Sequence, residues 1–519
     1  MDRTMPKEIE LKLTLPANCI KYLHHLPLLD ALSISKPTKQ KLHTIYYDTP
    51  DLALKKQHCA LRLRRIGKHW IQTIKTEGSV ASGLHERDEW EVAVTTNQLD
   101  FTRLSDPKLI KLLSHSNLSK QLQQIFITEF TRYTRILQMS DGSQIEFCLD
   151  HGKISVDHTK KPFTEVELEL KSGKPVQLFQ LALALEQALP FPVRLENISK
   201  AERGYVLYTG QNIPPVKALP VVLKADMDLV TVFILIARNC LDQLTRNEHG
   251  VLAGNDIEYL HQMRVALRRL RSAFDVFSPV IVNKAPIVHE LKWLTRQLNP
   301  ARNWDVFVTE QISQVHHIFA EHAGITALIK TCEILRKEHN KTARNSIRSK
   351  RYTELILELN LWLDEMLEHS IRSHSLKNTT KMALSEFAGS LLTNHHQKIL
   401  GVGKEIEKLD ATSLHALRIS IKKQRYAMEF FQTLYSPEKV KKYIRSLSEL
   451  QDILGAINDS ANTQKLLEEI PSSKTKALMS REAIGIIVGW NRLHLEQKKE
   501  ELKRTLLPFY DTPLLWEVY

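Results

Sequence analysis

The chain has 519 residues, of which 43% are hydrophobic and 25% charged, and this ordinary globular composition excludes a chain that is disordered throughout. Its 17 Gly and 20 Pro residues are too few for a collagen-like architecture or one dominated by linkers. The 72 Lys and Arg residues outnumber the 59 Asp and Glu residues, giving a formal net charge of +13. This balance favours an anionic partner such as nucleic acid, acidic lipid or a phosphate-rich molecule.

Residues 1–210 contain short runs in which charged and apolar side chains alternate, as they do along β-strands. In residues 8–13, Glu8, Glu10 and Lys12 fall on one face, and apolar side chains fall on the other. Similar alternation places these further charged residues on strand faces: Arg62, Arg64, Lys75, Arg87, Arg132, Glu146, Asp150, Glu165, Glu167 and Glu169. Turn signals separate the runs, and two helical stretches, at about 16–32 and 175–189, interrupt them. The pattern predicts an antiparallel, β-rich domain.

The charged faces of these strands allow two interpretations. Any single strand could be the solvated face of an open sheet. Because every run carries a charged face, the set favours a closed barrel with a charged lumen and an apolar exterior covered by helices. Clustered carboxylates in such a lumen require a divalent cation, and clustered Arg and Lys require phosphates. The residues therefore indicate a site for a metal and a polyphosphate.

Residues from about 226 onward show a different pattern, with apolar residues spaced by three and four positions, which predicts helices. Between the two patterns, residues 211–220 contain Pro214, Pro215 and Pro220, which is typical of a short, stiff linker. We therefore predict a β-rich domain at 1–210, a linker at 211–220 and an all-helical domain at 221–519.

One block occurs twice in the helical part, because residues 261–271 and 415–425 each have a His followed by basic residues at +3, +7, +8 and +10. On a helix the +3, +7 and +10 positions lie on the same side as the His. The residues of the two blocks are His261, Arg264, Arg268, Arg269 and Arg271, and His415, Arg418, Lys422, Lys423 and Arg425. A solvated face usually mixes charge signs, whereas these stripes contain no acid. We therefore predict two duplicated helical bundles that face each other across a phosphate-rich ligand.

Six blocks of the first part resemble, in the same order, the CYTH domain of the triphosphate tunnel metalloenzymes. The blocks are Glu8-Ile-Glu-Leu-Lys12, Tyr46-Tyr-Asp-Thr-Pro50, Leu61-Arg-Leu-Arg64, Gly83-Leu-His-Glu-Arg87, Glu165-Val-Glu-Leu-Glu169 and Ser199-Lys-Ala-Glu-Arg-Gly204. The resemblance implies an eight-stranded antiparallel β-barrel with flanking helices that acts as a tunnel for triphosphate.

The same resemblance implies roles for individual residues. Divalent metal, Mg²⁺ or Mn²⁺, would be held by residues among Glu8, Glu10, Asp150, Glu165, Glu167 and Glu169. Any two of the last three could form the ligand pair on their strand. Phosphates would be bound by Arg62, Arg64, Arg87, Arg132 and Lys200. The catalytic set would be Glu8, Glu10, Lys12 and Lys75.

The helical part resembles a CHAD domain, and its two basic blocks match that family's basic signatures. The resemblance implies that these blocks bind inorganic polyphosphate. The second block has Lys422 where the first has Arg268, so we expect it to bind somewhat less specifically. The combination is similar to bacterial inorganic triphosphatases. It implies an α+β multidomain enzyme that hydrolyses inorganic triphosphate to phosphate and pyrophosphate with a divalent metal.

Three other functions stay open at this point. The barrel could act on an organic triphosphate, as a thiamine triphosphate hydrolase or an adenylate cyclase, although no base-recognition pocket is evident. The protein could also be a non-catalytic scaffold that binds polyphosphate. The sequence pI of about 9.3 would suit a nucleic-acid partner, but recognised motifs are absent and aromatic residues are only 7%, so nucleic acid is not favoured.

The five cysteines lie far apart and form no close CxxC pair, which is typical of a reducing compartment. The first 16 residues contain no apolar segment of the kind found in signal peptides. The longest apolar run, residues 229–237, is too short to span a bilayer as a helix. We therefore predict a cytoplasmic protein without a membrane partner.

Overall fold

The computed structural model describes residues 7–76, 78–102, 104, 106–254, 256–281, 284–374, 383–403, 410–470 and 478–516. The chain forms two compact units. The first comprises Met1–Pro215 together with Arg348–Asp364, and the second comprises Val216–Ile347 together with Glu365–Tyr519. The domain limits expected from the sequence stay a prediction.

The first unit is built on an antiparallel sheet. Its strands are β1 (Lys7–Thr14), β2 (Thr38–Asp48), β3 (Cys59–Ile66), β4 (His69–Thr76), β5 (Ser79–Ala81), β6 (Leu84–Val94), β7 (Gln123–Gln138), β8 (Gln144–Val156), β9 (Thr159–Ser172) and β10 (Arg194–Leu195). The strand order is β10-β1-β9-β8-β7-β2-β3-β4-β6-β5, and β1 also pairs with β6. Because β1 pairs with both β9 and β6, eight strands close into a ring. This confirms the antiparallel barrel predicted from the alternation.

The alternation of each strand separates an inner face from an outer one. On β8, Ile145, Phe147 and Leu149 are buried on the face opposite to Glu146 and Asp150. This parity turns the acids of the strand into the lumen and its apolar side chains outward. Helices cover part of the exterior, as α5 packs against β1 and β9.

The helices of the first unit are α1 (Ile20–His24), α2 (Pro27–Leu32), α3 (Ala53–Lys56), α4 (Pro107–Ser114), α5 (Val176–Ala188) and α6 (Lys200–Thr209). Short 3₁₀ turns lie at Ala17–Cys19 and His115–Gln121. The helical stretches predicted at about 16–32 and 175–189 are therefore confirmed.

Helix α6 begins at Ser199, whose hydroxyl accepts a hydrogen bond from the Glu202 backbone while the Glu202 carboxylate accepts one from the Ser199 backbone. This capping box fixes the first turn of the helix. A Cβ at Gly204 would overlap the Phe126 ring on β7, so only glycine allows the helix to approach the barrel this closely. The approach places Lys200, in the first turn, against the lumen.

A segment from much later in the chain completes the first unit. It is the beginning of α13 (Lys350–His374), up to Asp364. The Lys350 ammonium donates hydrogen bonds to the backbone carbonyls of Glu186 and Leu189, at 2.7 and 2.5 Å. A lysine in this position satisfies carbonyl groups at the C-terminus of α5. The Thr353 hydroxyl donates to the Val193 carbonyl at 2.6 Å, directly before β10.

The second unit is helical. Its helices are α7 (Leu229–Arg246), α8 (Glu248–Ala253), α9 (Ile257–Val276), α10 (Ala285–Val306), α11 (Ser313–Ile318), α12 (Ala323–Ile347), the rest of α13, α14 (Leu384–Gly403), α15 (Ala411–Phe431), α16 (Pro437–Glu468) and α17 (Leu478–Tyr510). A π-helical segment at Phe307–Ile312 follows α10, and a 3₁₀ turn at Gln432–Leu434 follows α15. Within the described ranges, no helix has both the length and the apolarity that a membrane span needs. All five cysteines are buried and form no disulfide.

Candidate functional sites

The lumen of the barrel contains a small cavity, with a volume of about 70 Å³. It is lined by Glu8, Glu10, Lys12, Tyr46, Ala60, Arg62, Arg64, Lys75, Arg132, Glu167, Glu169, Ser199, Lys200 and Ala201. Strands β1, β2, β3, β4, β7 and β9 and the start of α6 contribute these residues. Most of the charged side chains singled out in the first part of the sequence thus converge on one space.

A row of carboxylates crosses three neighbouring strands. Glu10 on β1 lies opposite Glu169 on β9, and Glu169 lies opposite Glu146 on β8. Like charges in directly opposed positions destabilise a sheet. Burial, together with Glu8 and Glu146, raises the pKa of Glu169 although Lys171 lowers it in part. This row therefore carries negative charge that the protein balances incompletely.

Arginines face that row from the other side of the ring. Strand β3, which carries Arg62 and Arg64, is four strands away from β9 around the eight-stranded ring, and so lies across the lumen. Arg62 contacts Glu89 at 3.1 Å. Arg64 forms no ion pair with a described carboxylate and donates to the Thr44 hydroxyl at 3.2 Å. Burial, with Arg62 and Arg132 nearby, lowers the pKa of Arg64 to about 10. Positive charge without a counterion marks a place for an anion.

Deeper in the lumen, three carboxylates lie close enough together to hold a metal ion: Asp150, Glu165 and Glu167. The Lys200 ammonium occupies their centre, at 2.7 Å from Asp150 and 2.9 Å from Glu167, and it also bonds Glu165. Arg132 pairs with Asp150 through two hydrogen bonds of 2.7 Å. The charge of this triad is thus already neutralised by side chains.

Two lysines connect the acids of β1 with the rest of the lumen. Lys12 contacts Glu10 at 2.7 Å and Glu167 at 2.6 Å. Burial disfavours its charged form, but these two carboxylates outweigh burial and raise the pKa of Lys12. Lys75 contacts Glu8 at 2.5 Å. Both lysines can release these carboxylates only if another cation replaces them.

Three carboxylates that face the cavity, Glu8, Glu10 and Glu169, fit a divalent metal better than the inner triad does. Glu8, Glu10 and Glu169 are held by single lysines, whereas Glu165 is committed to Lys200 and Arg203. Mg²⁺ typically uses one or two carboxylates together with water and substrate phosphates, rather than a complete protein cage. Glu8, Glu10 and Glu169 provide this kind of incomplete ligand set.

The second unit contains a larger cavity, of about 580 Å³, lined by α9, α10, the π-helical segment, α11, α15, α16 and α17. Its basic residues are His261, Arg264, Arg268, Arg302, Arg418, Lys422, His494 and Lys498. Arg264 and Arg268 come from the first repeated block, and Arg418 and Lys422 come from the second. The two blocks therefore meet around one space, as their matched spacing predicted.

We call the first six of these residues the basic cluster, and its arginines and lysine repel one another. Burial, then Arg418 and the arginines of α9, lowers the pKa of Lys422 to about 7. Burial, then Arg268 and Arg302, lowers the pKa of Arg264 to about 9. Burial and Arg302 lower the pKa of His261 to about 4, so this ring is neutral near pH 7. Burial is the largest cause of each shift, and neighbouring cations add to it more than the nearby acids offset.

Acids and amides also line this cavity. Asp452 and Asp459 of α16 are joined by Glu310 of the π-helical segment, which lies 3.6 Å from Arg302. Helix α17 contributes Trp490, Asn491, His494 and Lys498. The cavity thus contains groups that a simple basic groove would not have.

Comparisons with known proteins identify both domains. Residues 6–205 match the family model of the CYTH domain, and residues 235–468 match that of the CHAD domain. The chain carries a CYTH domain followed by a CHAD domain. It is 34% identical over 215 residues to a protein of Haemophilus influenzae named inorganic triphosphatase, covering 41% of this chain and 58% of that relative. The chain therefore spans less than two thirds of that relative's length.

Among solved structures, the CHAD domain from the plant Ricinus communis has 28% identity and a TM-score of 0.51, covering 57% of this chain and 97% of that one. This likeness supports the helical fold. A putative adenylyl cyclase from Hippeastrum, described as having a dominant triphosphatase activity, has 19% identity and a TM-score of 0.28, covering 40% of this chain and 98% of that one.

Several predicted residues of the CHAD domain lie outside its cavity. Arg269 is buried and donates to Gln243 at 3.0 Å, which is a structural role. Arg271, His415 and Lys423 are exposed and are not among the residues that line the cavity. Arg425 contacts Glu429 at 3.4 Å instead. These residues are close to the basic cluster in the sequence, but their positions on the helices do not bring their side chains into the cavity.

The CYTH lumen also differs in detail from the sequence-based set. Arg87 lies opposite Glu8 in the β1–β6 pairing, but its side chain lies outside the described part of the structure. Asp150 and Glu165 bind Lys200 and do not line the cavity. Tyr46 also lines the cavity and was not predicted from the sequence. It lies opposite Arg62 in the β2–β3 pairing, and the alternation along β2 alone does not give this register.

Proposed function

We propose that the CYTH domain hydrolyses inorganic triphosphate to phosphate and pyrophosphate, and that the CHAD cavity binds inorganic polyphosphate. The observation that carries the first part is the division of one lumen into two poles. Carboxylates of β1 and β9 face arginines of β3 across the barrel, and Arg64 has no acidic partner among the described residues. A triphosphate requires cationic side chains for its oxygens and carboxylates that retain a divalent ion beside it.

In this proposal Arg62, Arg64 and Arg132 bind the phosphate chain and hold it along the lumen. Guanidinium groups suit this task because their planar donors match pairs of phosphate oxygens. Lys12 and Lys200 keep their charge, since neighbouring carboxylates raise the pKa of each above its usual value despite burial. They act as fixed positive charges for the substrate and do not exchange protons near pH 7.

Glu8, Glu10 and Glu169 would hold Mg²⁺ or Mn²⁺. Of the three acids on β9 we assign only Glu169 to the metal, because Glu167 is already bound by Lys12, Arg132 and Lys200, and Glu165 by Lys200 and Arg203. When bound, the metal would neutralise phosphate charge and lower the pKa of a coordinated water. Ser199 is the serine that lines the cavity, and its hydroxyl is used by the capping box. This favours direct attack by water over a covalent serine intermediate.

The similarity to the Haemophilus protein named inorganic triphosphatase supports this activity, and it extends over 58% of that protein. The decisive experiment measures phosphate release from tripolyphosphate, ATP and thiamine triphosphate by the full-length protein with Mg²⁺ or Mn²⁺. We expect tripolyphosphate to be hydrolysed fastest. Equal or faster turnover of ATP would contradict the proposal and favour an organic substrate.

Two variants separate catalysis from folding. Glu10→Gln should abolish phosphate release because it removes a carboxylate that faces the cavity. Glu129→Gln is a matched control on β7, because Glu129 contacts His43 and Lys153 and does not line the lumen. Unchanged phosphate release by Glu10→Gln would contradict the role assigned to Glu10, and absence of release by the natural protein would make it a polyphosphate-binding scaffold.

Polyphosphate binding by the CHAD domain rests on the basic cluster. Arg264→Gln combined with Lys422→Gln should weaken binding of long-chain polyphosphate, measured by filter retention at physiological salt. Arg445→Gln serves as the control, because this arginine has a side chain that is 82% exposed and pairs with Glu449. Displacement of polyphosphate by duplex DNA at the same salt would instead support a nucleic-acid partner.

A further inference from the structure

The CHAD cavity contains a second group of side chains whose chemistry phosphate does not explain. We call it the aromatic wall: Trp490, Asn491 and His494 of α17, with Gln451 of α16. Three of these residues lie beyond residue 468, where the match to the CHAD family model ends. The wall is therefore largely a feature of this chain outside the matched region.

Two rings of the wall are stacked on each other. The ring centroids of Trp490 and His494 are 4.9 Å apart, with an angle of 29° between the ring planes. Trp490 also packs against the hydrophobic cluster around Leu466 and Ile487, which fixes its position. A phosphate chain has no π-face to offer these rings, whereas a nucleobase stacks on aromatic side chains whatever its identity.

Polar atoms of the wall have no partner within the described protein. Asn491 Nδ2, His494 Nδ1 and Gln451 Oε1 are buried without a hydrogen bond. Buried polar groups are normally paired, and leaving one unpaired is costly. In the amide orientation of this structure, the Gln451 oxygen requires a donor, which an ionised phosphate chain does not offer. The edge of a nucleobase carries both donors and acceptors.

Carboxylates of α16 also fit a ligand that contains a nucleobase and its sugar. Asp452 and Asp459 also line the cavity. They would repel a polyphosphate that filled the whole space, but they can accept hydrogen bonds from ribose hydroxyls or from an amino group. The volume of about 580 Å³ is in the range of sites for small molecules.

We infer that the CHAD cavity selects a nucleoside 5′-polyphosphate over an inorganic polyphosphate of similar charge. The base lies against the aromatic wall, and the phosphates lie on the basic cluster. This inference rests on the proposed phosphate binding by the same cavity and adds the class of ligand that the wall recognises.

The test uses the full-length protein, EDTA to prevent hydrolysis, and 8-azidoadenosine 5′-triphosphate as a photoreactive probe. Irradiation is followed by mass spectrometry of the labelled peptides, which reports on this cavity separately from the barrel. We expect label on peptides of α17. Unmodified ATP should displace the label at a concentration about 5- to 150-fold lower than tripolyphosphate, as expected for one stacked base.

Variants identify which part of the inference fails. Trp490→Leu should bring the displacing concentrations of ATP and tripolyphosphate together without weakening tripolyphosphate. Asn491→Ala should reduce the same ratio, and it decides the matter if Trp490→Leu does not fold. Arg264→Gln with Lys422→Gln should weaken both ligands equally.

Two results would overturn the inference: label confined to peptides outside α17, or displacement by tripolyphosphate at the same concentrations as ATP. If the Arg264 and Lys422 variant weakens both ligands in that case, phosphate binding survives and only base recognition is lost. If that variant weakens neither ligand, the proposed polyphosphate function of the cavity fails as well.

Discussion

Polyphosphate binding by the CHAD domain should depend on pH through one lysine. Lys422 on α15 faces Arg418 of its own helix, Arg264 and Arg268 of α9, and Asp459 of α16. Burial and the three arginines hold its pKa at about 7 in the free protein. A bound phosphate chain adds negative charge beside the ammonium and therefore raises this pKa. Binding must take up a proton whenever free Lys422 is neutral.

The sign and size of the effect follow from this difference. Below pH 7 free Lys422 is already charged, so affinity is at its maximum there. As pH rises through the free pKa towards the bound pKa, affinity falls. If the bound pKa returns to its ordinary value, the dissociation constant should rise about tenfold between pH 6 and pH 8. Arg264, with a pKa of about 9, adds to the loss only at higher pH.

The measurement is isothermal titration of the full-length protein with long-chain polyphosphate at pH 6, 7 and 8, with constant salt and EDTA. Lys422→Arg is the matched control, because a guanidinium keeps its charge across this range. That variant should bind with nearly constant affinity. The Lys422→Gln variant should bind polyphosphate weakly at every pH, and its affinity should change as little with pH as that of Lys422→Arg.

A pH dependence that is unchanged in Lys422→Arg would refute the reasoning. It would show that another group takes up the proton. A flat profile for the natural protein would contradict the low pKa of Lys422 itself, and with it the view that the acids of the cavity compensate the basic cluster only in part.

The remaining predictions concern the CYTH domain. Glu169→Gln should lower the rate of triphosphate hydrolysis about 100-fold or more with little change in melting temperature. A clear drop in melting temperature together with the loss of rate would instead assign Glu169 a structural role. Glu165→Gln should lower the free energy of unfolding, measured in urea, by about 3 kcal/mol. The reason is that Lys200 and Arg203 stay buried and charged but lose the carboxylate that both of them bind. Lys200→Ala should let Mn²⁺ raise the melting temperature more than in the natural protein, since the inner triad loses its ammonium. Gly204→Ala should cost about 1–3 kcal/mol in the same urea titration and lower activity, because α6 must move away from Phe126.

The strands and their inner faces could be predicted from the sequence because an alternation of period two determines which side chains share a face. The alternation cannot give the register between strands. Glu165, Glu167 and Glu169 therefore looked equivalent. The pairing places Glu165 opposite Asp150 and Glu169 opposite Glu10 and Glu146, which gives the three acids different neighbours.

The CHAD cavity illustrates a second limit. The repeated spacing predicted that Arg264 and Lys422 would meet, because both blocks place basic residues on one side of a helix. The contribution of Trp490 and His494 could not be predicted, since their helix belongs to no repeat and its position depends on packing against α12 and α16. Arg269 shows the reverse case, in which a residue of the basic block serves the core.

The segment Arg348–Asp364 has a consequence for the order in which the protein is made. The first part of the barrel unit ends at Pro215. Its second part is this segment, which leaves the ribosome more than 130 residues later. At typical rates of synthesis the barrel waits roughly 7 to 30 s for it. During that interval the carbonyls of Glu186 and Leu189 have no Lys350 ammonium to bind. Completion of the barrel unit is thus coupled to translation of the helical region, and an N-terminal fragment ending at residue 210 would never receive the segment.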